Sequence, residues 1–267
     1  MSDVNEVLKT VLGYQKSAYL FYINQLPLEE REALLKPIYK DMTRDLLKLD
    51  KFINYGKFNY PLWESLEECV DRRIPKIHSH ADLNLEDYLI GLNQRNRLAW
   101  SCINLNEFFS FAKDKKILDF GCGGCFYADI FSSMAQSVHC YDKPDVMEFI
   151  RANIILRKDK CFLREDIELF NYEAFDIIWV SEVIHGKSKE EIRSLLRWLS
   201  MYLQPDGMII INELLPDTPL SELFDIQMAI HTKGGKLYKP TEVYELFKEV
   251  KLEKKSDYHV VLGGDIA

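Results

Sequence analysis

The densest chemistry in the 267-residue sequence lies in Lys116-Ile-Leu-Asp119-Phe-Gly121-Cys-Gly123-Gly124-Cys125-Phe126. An apolar run leads into a glycine-rich turn and then the start of a helix. Glycine lets backbone approach a ligand closely, and a helix N-terminus offers free N–H donors. In open α/β sheets such turns sit outside the carboxyl ends of the strands, where ligands bind. A dinucleotide fingerprint would need a third glycine where Phe126 stands, which argues against NAD. Asp119, placed before the first glycine, suits a ligand without a pyrophosphate. About twenty residues beyond Gly123, Asp142 ends a second apolar run, where a carboxylate can accept both hydroxyls of a ribose.

A second group of reactive types follows. Trp179-Val-Ser181-Glu182-Val-Ile-His185 ends one apolar run with a hydroxyl and an imidazole, and Ile-Ile-Ile-Asn-Glu213 ends the next with an acid. A neutral imidazole, with an unperturbed pKa of about 6.5, is a suitable base for a phenol-like hydroxyl that titrates near ~10. A carboxylate behind it would fix its tautomer and stabilise the imidazolium. Cys122 and Cys125 form a CxxC, but no second cysteine pair stands at zinc spacing, so no metal is expected. His78-Ser-His80-Ala-Asp82 reads as a polar linker, and His231 as a histidine at a helix end.

Taken in order, these positions resemble the class I S-adenosylmethionine-dependent methyltransferases, whose first motif is an acidic residue followed by GxGxG. The resemblance places Asp119, Gly121 and Gly123 in that motif and Asp142 on the ribose. It also implies that Asp166 and Ile167 contact adenine and that Ser181 closes the fourth strand. Leu203-Gln-Pro-Asp-Gly207 resembles the family's turn before its fifth strand.

Between Trp179 and Thr218 the likeness narrows to the small-molecule O-methyltransferases of the plant phenol and hydroxyindole type. It implies that His185 is the general base and Glu213 its partner. Phe224-Asp225-Ile-Gln-Met228, followed by Gly234-Gly235-Lys236, resembles the substrate-pocket helix and the turn beyond it, so Asp225 and Met228, with Asn93 from an earlier helix, are the expected substrate contacts. The implied reaction moves a methyl group from S-adenosylmethionine to a hydroxyl of a small molecule, with nitrogen or carbon as less expected acceptors and S-adenosylhomocysteine as product. There are departures: Cys125 replaces the third glycine, Gly186-Lys187 replaces an acidic or amide residue and Trp, and Leu237 replaces a second acid. They keep open a protein that binds S-adenosylmethionine without transferring methyl, and an α/β enzyme that uses another nucleotide.

The elements that must position these residues fall into two textures. Residues 1–112 have helical apolar spacing, as in Ile38, Met42, Leu46, Leu49 and Ile53, and a helix is expected from about Leu85 towards Phe109. This region is expected to serve dimerisation and to roof the substrate. Residues 113–267 alternate strands with helices. Strands are expected at Lys116–Phe120, Ser137–Tyr141, Lys160–Leu163, Phe175–Val180, Met208–Ile211 and His259–Leu262. Ser188 and Glu191 read as a capping box for a helix that Pro205-Asp206-Gly207 ends. The expected fold is a Rossmann-like, doubly wound, mainly parallel sheet behind a helical N-terminal region.

A net charge of -8 disfavours nucleic acid as a partner, since such proteins carry a basic footprint. No apolar stretch approaches the ~20 residues that span a bilayer, and the start lacks a signal-peptide pattern. The six cysteines lie mostly inside expected elements. A cytoplasmic homodimer acting on a small molecule, with no membrane or nucleic-acid partner, is the expectation.

Overall fold

The computed structural model describes residues 103–153, 159–164, 166, 174–218 and 237–267, together with Asn96, Ala99, Trp100, Ser221 and Phe224. The chain divides into two compact units, residues 1–102 with 217–235 and residues 103–216 with 236–267. In the first, Asn96, Ala99 and Trp100 are helical, and Thr218 and Ser221 exchange side-chain-to-backbone hydrogen bonds. Asn93, Asp225, Met228, Gly234, Gly235, His78, His80 and His231 lie outside the described residues.

The second unit holds a seven-stranded sheet of order β3-β2-β1-β4-β5-β7-β6. Its strands are β1 (Lys116–Phe120), β2 (Ser137–Tyr141), β3 (Cys161–Arg164), β4 (Phe175–Ser181), β5 (Leu203–Leu214), β6 (Phe247–Lys255) and β7 (His259–Ile266). The first five are parallel, and β7 runs antiparallel between β5 and β6. Five helices belong to it among the described residues: α1 (Leu105–Phe108), α2 (Phe126–Ser132), α3 (Pro144–Asn153), α4 (Lys189–Ser200) and α5 (Pro240–Tyr244).

Continuous apolar runs make the central strands because both faces are covered. Successive side chains alternate between faces. Ile178 and Val180 join Leu118, Ile209, Ile211 and the Ile192, Leu196 and Leu199 stripe of α4 in one buried cluster. Trp179 instead meets Phe109 and Phe131, at ring-centroid distances of 5.7 and 5.1 Å. Each fully buried aliphatic side chain of this kind contributes about 1.5–3 kcal/mol. The capping box of α4 forms as expected: Ser188 Oγ accepts from the Glu191 N–H, and Glu191 Oε2 accepts from the Ser188 N–H.

Three expectations need correction. The helix expected from Leu85 towards Phe109 is interrupted: Ile103 is a bend, and Asn104, in extended conformation, caps the short α1. An asparagine cap satisfies the donors of a new helix start, so the chain restarts there rather than continuing. Helix α4 ends at Ser200, so Pro205-Asp206-Gly207 is not its stop. Those residues occupy the irregular first half of β5, where Leu203 pairs with Phe175 and regular pairing resumes at Met208. Finally, β6 was not anticipated. Its charged sequence, Lys-Glu-Val-Lys-Leu-Glu-Lys-Lys after Phe247, lacks a buried apolar run because it is an edge strand, and edge strands carry charge to discourage further pairing.

Strand β6 is bulged, with register shifts between Phe247 and Glu249 and between Val250 and Leu252. Gly264 of β7 lies against this irregularity, and a Cβ there would stand 1.9 Å from the Glu249 carbonyl oxygen. Gly264→Ala is therefore expected to destabilise the protein by about 1–3 kcal/mol or more, measured by chemical denaturation. An unchanged midpoint would contradict this packing.

Candidate active site

The glycine turn is held by its neighbours before any ligand is considered. Parallel pairing sets Phe120 beside Tyr141, so β1 and β2 end together. The N–H groups of Gly121 and Cys122 both reach the Tyr141 carbonyl, at 2.8 and 3.1 Å. The Gly123 N–H donates to Asp142 Oδ2 at 2.8 Å, and the Lys143 N–H to Oδ1 at 2.7 Å. Two residues expected to share a ligand are thus already joined. Each Asp142 oxygen keeps a further lone pair for a hydroxyl.

Gly121 is required twice over. Its φ is +73°, which favours glycine, and a Cβ there would lie 2.5 Å from Val183 Cγ2. That contact packs the turn after β1 against the segment leading to His185. Cys125, at the N-cap of α2, has φ +59° and ψ +27° and no side-chain cap. Left-handed backbone costs a non-glycine residue roughly 1–2 kcal/mol, so this is a position that glycine would fill without strain.

Asp119 is buried at the end of β1. Burial first, then Cys140 and Asp142, push its carboxyl well above the usual carboxylate range, against a hydrogen bond from the Ala128 N–H. Burial also raises Asp142, while the N–H groups of Gly123 and Lys143 pull it down.

At the end of β4, Ser181 Oγ accepts from Asn212 Nδ2 at 2.8 Å, and the same amide donates to Tyr127 Oη at 2.9 Å. Glu182 follows with φ +54°. Its N–H bonds the Asn212 carbonyl, and its Oε1 lies 3.1 Å from His259 Nε2, both groups being buried. His185 is half-buried in the next turn, before Gly186 at φ +78°. The carbonyl of Lys187 accepts from the Tyr238 hydroxyl. Glu213 is fully buried on β5, its Cα opposite Val260 of β7. Asp166 is exposed beyond the end of β3, and Ile167 lies outside the described residues.

Several site residues escape sequence reading. Val183 and Tyr127 look like ordinary core positions, and His259, which meets the Glu182 of the motif, stands in a distant element. Asn212 leaves a faint signal as an amide inside an apolar run.

The glycine turn thus follows the first strand of a sheet of order 3-2-1-4-5-7-6 whose seventh strand is reversed. Residues 94–256 match the family described as Methyltransferase domain. The chain belongs to that methyltransferase family.

Solved structures share the fold at low identity. Human N-acetylserotonin methyltransferase in complex with SAM superposes with a TM-score of 0.54 and 18% identity. The match covers 84% of this chain and 66% of that one. The trans-methyltransferase CalH in complex with SAH gives 0.56 and 16%, covering 85% and 73%. PigF with SAH gives 0.52 and 18%, covering 78% and 71%. No curated protein matches the chain.

The raised Asp119 carboxyl has a consequence for stability. Folding favours its protonated form, so above the ordinary carboxylate range of about 3.9 the unfolded chain holds fewer protons than the native one at this group. Its contribution therefore falls as pH rises towards the folded value. His139 acts oppositely: burial, then Arg164 and Lys116, lower it to about 4, so its contribution grows as pH climbs from there to about 6.5. The wild type and Asp119→Asn must therefore be compared at each pH. The stability of the variant relative to wild type is expected to grow with pH in urea titrations. A constant difference would show that Asp119 is ionised in the fold.

Proposed function

We propose that this chain is an S-adenosylmethionine-dependent methyltransferase acting on a hydroxyl of a small molecule, with His185 as general base. The observation that carries the reading is the Gly123–Asp142 hydrogen bond, which ties a glycine cradle to a ribose-binding carboxylate at the carboxyl edge of the sheet. The residues fit the cofactor. Gly121 leaves bare backbone where a Cβ would collide, and Asp119 Oδ2 is buried without a hydrogen-bond partner among the described residues. Asp119, Gly121 and Gly123 would hold the amino-acid end, Asp142 the ribose, Asp166 and Ile167 the adenine, and Ser181 the inner wall.

When bound, the sulfonium supplies an electrophilic methyl group. The chain must then orient the acceptor, exclude water and remove a proton. His185, following the strained Glu182, takes the acceptor's proton, and Glu213 orients the imidazole. Asn93, Asp225 and Met228 bind the substrate on the strength of the family resemblance, which also carries the readings of residues 1–112 as a dimerisation and substrate-roof region and of the protein as a cytoplasmic homodimer.

A second reading, cofactor binding without transfer, is favoured by Cys125 in left-handed conformation where the family carries glycine. Incubation with labelled methyl donor and hydroxylated acceptors separates the two. Cofactor retained without transfer to any acceptor favours the second.

His185→Ala is expected to lower turnover by about 10²–10⁴-fold while calorimetric binding of S-adenosylhomocysteine survives. Asp142→Ala is expected to lose that binding. Full turnover in His185→Ala rejects the base, and unaltered binding in Asp142→Ala rejects the cofactor site.

A further inference from the structure

The cofactor turn contains a thiol cluster that methyl transfer does not use. Cys122, Cys125, Cys140 and Cys161 are all reduced and buried. Cys122 and Cys125 flank Gly123 and Gly124, and the Cys125 N–H bonds the Cys122 carbonyl at 2.8 Å. Such an i to i+3 turn holds its end Cα atoms within about 7 Å, overlapping the ~4.4–6.8 Å that disulfides span. Cys140, from β2, pairs in register with Asp119. Cys140 immediately precedes Tyr141, whose carbonyl accepts the Cys122 N–H at 3.1 Å, so a third buried thiol stands on the strand beside the turn.

We propose that Cys122 and Cys125 form a reversible oxidation site, at which a peroxide closes a disulfide across the two glycines and switches off cofactor binding. The regulatory part rests on the cofactor reading above; the thiol chemistry does not. Cys122 retains 7% exposure against 1% for Cys125 and 0% for Cys140, so it is the most open of the three residues to an oxidant. Burial raises the Cys122 thiol, so its sulfur attacks the peroxide O–O bond as its own proton passes to the departing hydroxide. The products are a sulfenic acid and water. The Cys125 sulfur then attacks the sulfenic sulfur, an S–S bond forms and a second water leaves. Two thiols and one peroxide give one disulfide and two waters, the two electrons passing to the peroxide.

The disulfide would act on the backbone itself. Gly123, inside the new ring, donates the hydrogen bond to Asp142. Cys125 is already held at φ +59°. Closing a ring across these residues must shift dihedrals at the cradle, because S–S and Cβ geometry is narrow. Thiol reduction reverses the change.

The test treats the full chain with hydrogen peroxide, with and without S-adenosylhomocysteine, and alkylates the remaining thiols. Chymotryptic cleavage after Phe126 or Tyr127 separates Cys122 and Cys125 from Cys140. The expected fragment is lighter by two hydrogens, with Cys140 still alkylated. Bound S-adenosylhomocysteine should slow its formation. The oxidised protein should lose S-adenosylhomocysteine affinity by roughly tenfold or more, and dithiothreitol should restore it. Cys125→Gly, which removes one sulfur and relieves the left-handed strain, should bind equally well before and after peroxide.

An unoxidised fragment, a link to Cys140 instead, or a disulfide that leaves affinity unchanged overturns the proposal. A reduced protein that does not bind S-adenosylhomocysteine overturns the cofactor reading and the switch with it, while the fragment map still decides the thiol pair.

Discussion

One hydrogen bond, from the Gly123 N–H to the Asp142 carboxylate, organises the candidate site. It requires β1 and β2 to end side by side, which their parallel register achieves by setting Phe120 beside Tyr141. The Tyr141 carbonyl then takes two more N–H groups of the turn, so the cradle is fixed by three bonds to the end of β2. A turn shaped in advance loses little conformational entropy when a ligand arrives. The arrangement also has a cost, since it brings the buried Asp119 close enough to Asp142 for their charges to oppose each other. A cationic ligand would relieve that opposition.

The second half of the site depends on the first through a close packing contact. Gly121 has no Cβ, and Val183 fills the space, so the segment leading to His185 rests on the glycine turn. Beneath it, Tyr127, Asn212 and Ser181 link α2, β5 and β4 through one amide. Glu182 and His259 then tie the end of β4 to the start of β7. The left-handed conformations of Cys125 and Glu182 lie at the two ends of this assembly. Strained backbone of this kind persists where the surrounding structure over-determines it, and it gathers at functional sites.

Much of this was legible without coordinates. Strands β1 and β2 fall where their apolar runs predicted, and α4 starts at its capping box. The turn and its carboxylates were legible because each signal is local: glycine spacing in one case, an acid closing an apolar run in the other. Strand β6 was not, because an edge strand needs only alternate, shallow burial and its charges mask the pattern. The break before α1 was missed because the apolar spacing continues across it, while the cap at Asn104 decides where the helix restarts. Pro205-Asp206-Gly207 misled for a related reason: turn residues also suit the irregular start of a strand.

The sequence by itself determined the alternation of strand and helix, the parallel sheet that follows from it, and the place of the glycine turn and its neighbouring carboxylates at the ends of the first two strands. Those properties are encoded within short windows, by periodicity and by backbone freedom at glycine. Only the tertiary structure decided that Val183 packs on Gly121, that Asn212 reaches Tyr127 across 85 residues, and that Glu182 meets His259 across 77. Such contacts arise when strands distant in sequence are laid side by side, and the register that brings them together is set by the burial of the whole sheet.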